Sequence, residues 1–131
     1  MSGAIQSYRD LVVWQKSMAL AVEVYRIARL LPKDEQYRLT SQLLRAAASV
    51  PANIAEGHAR GTRKDYAKFV SISRGSLAET ETFLMLAAQV GLLMPGDVAA
   101  AEALCNEVSR MLLSLHSRLR DDPHQNPVPR T

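Results

Sequence analysis

Polar and charged side chains recur at helical spacing in the middle of the chain, where they could form a catalytic or ligand-binding site. Asn53, Glu56 and Arg60 fall on one flank of a predicted helix, and Ser76 and Glu79 could face them from the next. As a site, Glu56 and Glu79 would be paired carboxylates for acid and base chemistry, or would bind a small ligand. We interpret Asn53, Glu56, Ser76 and Glu79, the polar seam, as a structural network that fixes helix register.

Basic residues follow immediately, and they are the candidate contact for an outside partner. Arg60, Arg63, Lys64 and Lys68, the basic rim, would bind nucleic-acid phosphates without reading sequence, and with strong salt dependence. The alternative is a solvated surface, or pairing with Asp65 and with neighbouring subunits.

Other reactive residue types are sparse, and their spacing favours neither a metal site nor a cofactor. His58, His116 and His124 are far apart in sequence, and Cys105 is the only cysteine, placed among apolar residues. No glycine-rich phosphate loop or nucleophile motif occurs. We therefore expect no catalytic residues, no metal and no cofactor.

Composition indicates one all-helical domain. The chain has 131 residues, 47% hydrophobic but only 5% aromatic, and a net charge of +3 that is concentrated in its first half. No secretory signal pattern is present at the start, and the longest uncharged run, residues 82–96, is shorter than a membrane helix needs. We expect a cytoplasmic protein with no membrane contact.

Four amphipathic segments are bounded by prolines, glycines and capping residues. Helix one should run from the Ser7 capping box to Leu31, helix two from near Asp34 to Gly61, helix three from Thr62 or Arg63 to about Leu92, and helix four from an Asp97 cap to Arg120. Short connections between them predict an antiparallel up-down four-helix bundle over residues 8–120. Residues 1–7 would be an N-terminal extension and residues 121–131 a mobile tail.

Helix two contains an internal proline and many small residues. Pro51 should kink the helix and push Val50 towards extended geometry. The small residues should let helix two approach helix three closely at Gly75, so Gly75→Leu should disrupt the fold. The small residues of helix two are Ala46, Ala47, Ala48, Ala52, Ala55 and Gly57.

Helix one has two apolar stripes where a single core needs one. One stripe contains Leu20, Val24, Ile27 and Leu31, and helix three is similarly broad. The surplus predicts a homo-oligomer, because a monomer would expose a large apolar patch. The other stripe of helix one consists of Leu11, Trp14, Met18, Ala21 and Tyr25.

Two long segments resemble a known family. The sequence YRDLVVWQKSMALAVEVY from Tyr8 and LTSQLLRAAASVPANIAEGHARG from Leu39 to Gly61 are similar to the four-helix bundle family of 23S rRNA intervening-sequence proteins, as is GSLAE from Gly75 to Glu79. The resemblance implies a bundle that assembles as a cyclic homopentamer. It also implies a shape similar to the accessory proteins of diversity-generating retroelements, and no known catalytic activity.

Three functions remain open on the sequence. The first is a non-enzymatic oligomeric scaffold, with nucleic-acid (RNA or DNA) binding through the basic rim. The second is a protein-binding module without nucleic-acid contact, and the third is a small-ligand binder at Asn53, Glu56 and Glu79.

Overall fold

The computed structural model describes residues 4–121, which form four helices and contain no strand. The helices are α1 (Val12–Ala28), α2 (Ser41–Arg60), α3 (Arg63–Gln89) and α4 (Pro95–Leu119). The predicted all-α class and four-helix bundle are therefore confirmed. None of the helices in residues 4–121 has both the length and the hydropathy that a bilayer crossing requires. The predicted mobile tail, apart from Asp121, lies outside the described residues.

The Ser7 capping box is present, but it caps a separate short turn. Ser7 Oγ accepts the Arg9 N–H at 3.1 Å, and Asp10 Oδ2 accepts the Gln6 and Ser7 N–H groups at 2.9 and 3.2 Å. These backbone bonds lower the pKa of Asp10. Leu11 is extended, so α1 begins at Val12 and not at Ser7, and it ends at Ala28 before Leu31.

The segment before α2 also differs from the prediction. Lys33–Glu35 form a 3-10 turn and Gln36–Thr40 a π turn, so the regular helix begins at Ser41 and not near Asp34. From Ser41 the helix continues through Pro51, with Val50 inside it, which corrects the expected extended geometry at Val50. A bend at Pro51 stays a prediction.

The other helix ends follow simple capping chemistry. Gly61 closes α2 in the left-handed conformation at φ 84°, and Thr62 Oγ1 accepts the Asp65 N–H at the start of α3. Asp97 does not cap α4 as predicted. The helix begins at Pro95, so Met94 is the capping residue and Asp97 is the third residue of the helix. From that position the Asp97 carboxylate accepts a hydrogen bond from the Met94 N–H.

The core contains the predicted stripes. Helical spacing predicts a core stripe on α4 at Val98, Ala101, Cys105, Val108, Leu112, Leu115 and Leu119, and all of these residues are buried. Burial raises the pKa of the Cys105 thiol to about 12, with Glu81 and Glu102 adding to the effect. On α1, the stripe that includes Leu20 and Val24 is buried, whereas Met18 and Tyr25 of the other stripe are exposed. The buried residues of α2 are Leu43, Ala46, Ala47, Val50, Pro51, Ile54 and Gly57.

The tightest contact between helices joins α2 to α3. A Cβ on Gly57 would lie 2.7 Å from Phe69 Cβ and 3.3 Å from the Tyr66 carbonyl oxygen, so only glycine fits. Further along, Ser73 Oγ donates to the Val50 carbonyl at 2.8 Å. As the residue number rises along α2, from Val50 to Gly57, the residue number of its partner on α3 falls, from Ser73 to Phe69. The close approach predicted at Gly75 is wrong, because a Cβ there would meet nothing within 4 Å.

We expect Gly57→Ala to destabilise the protein and Gly75→Ala to stabilise it. The added methyl at residue 57 would force α3 to shift, at a cost of about 1–3 kcal/mol against a helix-propensity gain of about 1 kcal/mol. At residue 75 only the gain of about 0.5–1 kcal/mol applies. Urea denaturation of the two variants and the wild type measures both effects, and equal midpoints would contradict the close contact at Gly57.

Candidate binding surfaces

The polar seam exists in part, and it joins α2 to α3 through a residue that the sequence analysis did not select. Asn53 Nδ2 donates to Ser49 Oγ at 2.8 Å and to the Ser49 carbonyl at 2.9 Å. Ser49 Oγ also shares a 2.8 Å hydrogen bond with Ser76 Oγ, which is buried. Each hydroxyl has a partner, so Asn53, Ser49 and Ser76 fix the register of the two helices.

The two carboxylates of the polar seam do not come together. Glu56 is exposed and accepts a hydrogen bond from Arg60 Nε at 3.0 Å within α2. Glu79 is exposed on α3, ten residues beyond Phe69, the residue that contacts α2 beside Glu56. At a rise of 1.5 Å per residue, this offset is about 15 Å, so Glu56 and Glu79 do not face each other as predicted. A shared acid and base site needs a shorter separation.

The side chain of Arg63, a member of the basic rim, is hydrogen-bonded to the backbone at the end of α4. Its Nε donates to the Leu119 carbonyl at 3.0 Å, and its Nη2 donates to the carbonyls of Arg118 at 3.2 Å and Asp121 at 2.6 Å. These carbonyl groups lie in the last turn of α4 and just beyond it, where positive charge also complements the helix dipole. Arg63 thus ties the start of α3 to the end of α4, a role that its position in the sequence did not reveal.

The remaining members of the basic rim stay at the surface. The Arg60 guanidinium lies 5.0 Å from the centroid of the Phe69 ring, and Lys68 Nζ lies 5.8 Å from it. Lys64 is exposed one turn before Lys68. Arg60, Lys64 and Lys68 therefore form a small cationic surface with an aromatic ring between two of its members.

The histidines are not organised as a metal site. His58 packs edge-on against Tyr66, with ring centroids 5.6 Å apart. His116 lies 3.4 Å from Arg74, and burial together with the charges of Arg74 and Arg120 lowers its pKa. Residues 4–121 contain no group of three or more His, Cys, Asp or Glu side chains that could hold a metal ion. His124 lies outside the described residues.

An apolar groove of about 720 Å³ opens at the surface between α1 and α2. Its three most exposed large apolar side chains are Met18 at 39%, Tyr25 at 52% and Val22 at 66%. Arg26 and Arg29 line it as well. The other lining residues are Tyr8, Trp14, Ala21, Ala48, Pro51, Ala52 and Ala55.

This α1–α2 groove gives the small residues of α2 two different roles. Ala46, Ala47 and Gly57 are buried in the bundle, as expected for close packing. Ala48, Ala52 and Ala55 line the groove, which corrects their predicted place at the contact with α3. The α1 side of the groove is the second apolar stripe of that helix. Helical periodicity identifies the small residues of α2 and the second apolar stripe of α1, but it does not show what packs against either of them.

Comparison with known proteins supports a single family. The family described as 23S rRNA-intervening sequence protein matches residues 9–114. A crystal structure from Bacteroides thetaiotaomicron, described as a protein with unknown function from the S23 ribosomal protein family, is 24% identical, with a TM-score of 0.74. The match covers 80% of this chain and 98% of that chain, and it establishes similarity of fold alone. No curated protein matches the chain. Neither description mentions an enzymatic activity.

We expect Arg63→Gln to destabilise the protein by about 1–2 kcal/mol, because carbonyl groups at the end of α4 would lose their donor. Arg60→Gln is the matched control. Its side chain is half exposed and its ion pair with Glu56 is at the surface, so the change should stay within about 0.5 kcal/mol. Thermal and urea denaturation give both values. Equal effects would contradict the bridging role of Arg63.

Proposed function

Because the chain belongs to the family of 23S rRNA-intervening sequence proteins, we propose that it works as a non-enzymatic scaffold that assembles from several copies of itself. The observation that carries the proposal is the α1–α2 groove. It is lined by apolar side chains on α1 and by small residues on α2, and it lies open at the surface. A patch of this kind on a soluble chain favours a protein interface.

The groove suits another helix better than a small molecule. Ala48, Ala52 and Ala55 recur at helical spacing along its α2 side, and short side chains of this kind let a second backbone approach closely. The bulk on the opposite side comes from Trp14 and Met18 of α1. An apolar helix from another copy could therefore approach the α2 backbone closely on the alanine side and pack against the large side chains of α1 on the other side.

The same chain carries a helix face that could fill the groove. Ile72 and Leu86 of α3 and Val90, which caps its end, are exposed at spacings that place them on a common stripe. None of them lines the α1–α2 groove. Contact between two different faces is head-to-tail, and such contacts close into a ring when the rotation permits. A ring of five copies is the number that the family resemblance implies.

A cytoplasmic location and the absence of catalysis are part of the same proposal. Cys105 is a buried free thiol, which suits a reducing compartment. The two carboxylates that could have formed a reaction centre are exposed and separated along the bundle. The scaffold would therefore act by binding other molecules and not by catalysing a reaction.

We expect Ala52→Glu to convert the assembly to monomers. Ala52 is exposed in the single chain, so the fold should tolerate glutamate there, whereas a helix seated in the groove would bury its charge. Self-association should weaken by at least about 100-fold, measured by sedimentation velocity. The control is Ala100→Glu, an exposed alanine of α4 outside the groove, and it should assemble normally. Unchanged assembly of Ala52→Glu would exclude the groove as the interface.

Nucleic-acid binding is the second candidate function, and the arrangement around Phe69 favours it. Arg60 and Lys68 flank this ring, and Lys64 is exposed beside them. Cations next to an aromatic ring suit a single-stranded backbone with exposed bases. In a ring of copies the cationic surface would repeat, so the local charge would exceed that of one chain.

We expect short single-stranded RNA and DNA to bind at about 50 mM salt and to dissociate by about 200 mM. In the triple variant Arg60→Gln, Lys64→Gln, Lys68→Gln, the slope of log affinity against log salt should fall by about 0.7 for each lost phosphate contact. Fluorescence anisotropy measures both quantities. The control is Lys33→Gln, in the 3-10 turn that precedes the start of α2, far from Arg60. If the wild type does not bind at low salt but still assembles, the scaffold holds protein partners only.

A further inference from the structure

A second cavity, of about 410 Å³, lies between the start of α1, the start of α3 and the last turns of α4. It shares no lining residue with the α1–α2 groove. Its walls are mostly apolar, with the buried Leu11 and Leu115 and the more accessible Val12 and Met111. The volume falls in the range of roughly 300–1,000 Å³ that is common for small-molecule sites.

One buried polar group in the wall of this cavity has no partner among the described residues. Tyr66 lines the cavity and is only 6% exposed, and within residues 4–121 its hydroxyl makes no hydrogen bond. Burial raises the pKa of Tyr66 to about 12, although the charge of Arg118 acts in the opposite direction. The phenol therefore stays protonated and can donate. A buried donor left without an acceptor is costly, and such groups in native proteins call for an explanation.

The cavity also gathers positive charge without a carboxylate of its own. Arg110 and Arg118 lie two turns apart on α4, and Ser114 lies between them. All three residues are exposed, so they form the outer, polar side of the cavity above its apolar floor. The lining residues include no aspartate or glutamate. An anion that entered the cavity would therefore meet two cationic side chains and no carboxylate among the lining residues.

We propose that this cavity binds a small amphipathic carboxylate, with its apolar body on Val12 and Met111 and its carboxylate between Tyr66 and the two arginines. The arginine fork matches the two oxygens of a carboxylate, and the phenol supplies a further hydrogen bond. Inorganic phosphate would leave the apolar floor uncovered, and a neutral alcohol would leave the arginines without an anion. The site is independent of the proposed self-assembly.

The test is isothermal titration calorimetry of the full chain with octanoate. We expect one molecule to bind per chain with a dissociation constant below about 1 mM. Binding of 1-octanol and of inorganic phosphate should each be at least about tenfold weaker, since each lacks half of the recognised chemistry. Failure of octanoate to bind, or equal binding of octanoate and 1-octanol, would overturn the proposal.

Three variants locate the site. Tyr66→Phe and Arg118→Met should each weaken octanoate binding by about tenfold or more, whereas Arg45→Met, at an exposed position of α2 outside both cavities, should leave it unchanged. Tyr66→Phe should also unfold at the same or a higher urea concentration than the wild type, because it removes a hydroxyl that has no partner within residues 4–121. Unchanged affinity in Tyr66→Phe or Arg118→Met, or a loss in Arg45→Met, would overturn the assignment.

Discussion

The close packing of α2 against α3 sets the arrangement of the whole bundle. Gly57 brings the α2 backbone against Phe69 and Tyr66, and two serine hydrogen bonds hold the same pair of helices further along. A glycine contact sets the distance between the helices, whereas the hydrogen bonds set their register. Together they fix which residues of α2 face α3 and which remain on its other flank.

That fixed orientation determines the outer surface of the bundle. With one flank of α2 facing α3, Ala48, Ala52 and Ala55 are left on the flank towards α1, where they line the groove. The same contact places Tyr66 at the end of the core, beside the second cavity. Packing inside the bundle thus generates both candidate binding surfaces, one for a helix and one for a small anion.

The sequence predicted the interior well, because helical periodicity directly reports which residues share a face. Leu43, Val70 and Cys105 each recur at helical spacing with other apolar residues of their helix, and all three are buried. The family resemblance agrees with the family match. The predictions are wrong where the role of a helix face depends on which other helix packs against it. The sequence predicts a close contact at Gly75, whereas the structure has it at Gly57. Both residues are helical glycines, and only the relative register of α2 and α3 decides which of them makes the contact.

Side chains with long reach were harder still. Arg63 was grouped with its basic neighbours, yet it turns to the end of α4, more than fifty residues away in sequence. The partnerless hydroxyl of Tyr66 is likewise a property of its surroundings and has no sequence signal. Both follow from long-range contacts that helical spacing does not encode.

If another copy of the chain covers the α1–α2 groove, as proposed, the protein is an oligomer in solution. Light scattering over a range of micromolar concentrations gives the molar mass of the wild-type protein. We expect a mass that is a fixed multiple of the 14.4 kDa chain and does not change on dilution through that range. A mass of 14.4 kDa at every concentration would contradict it.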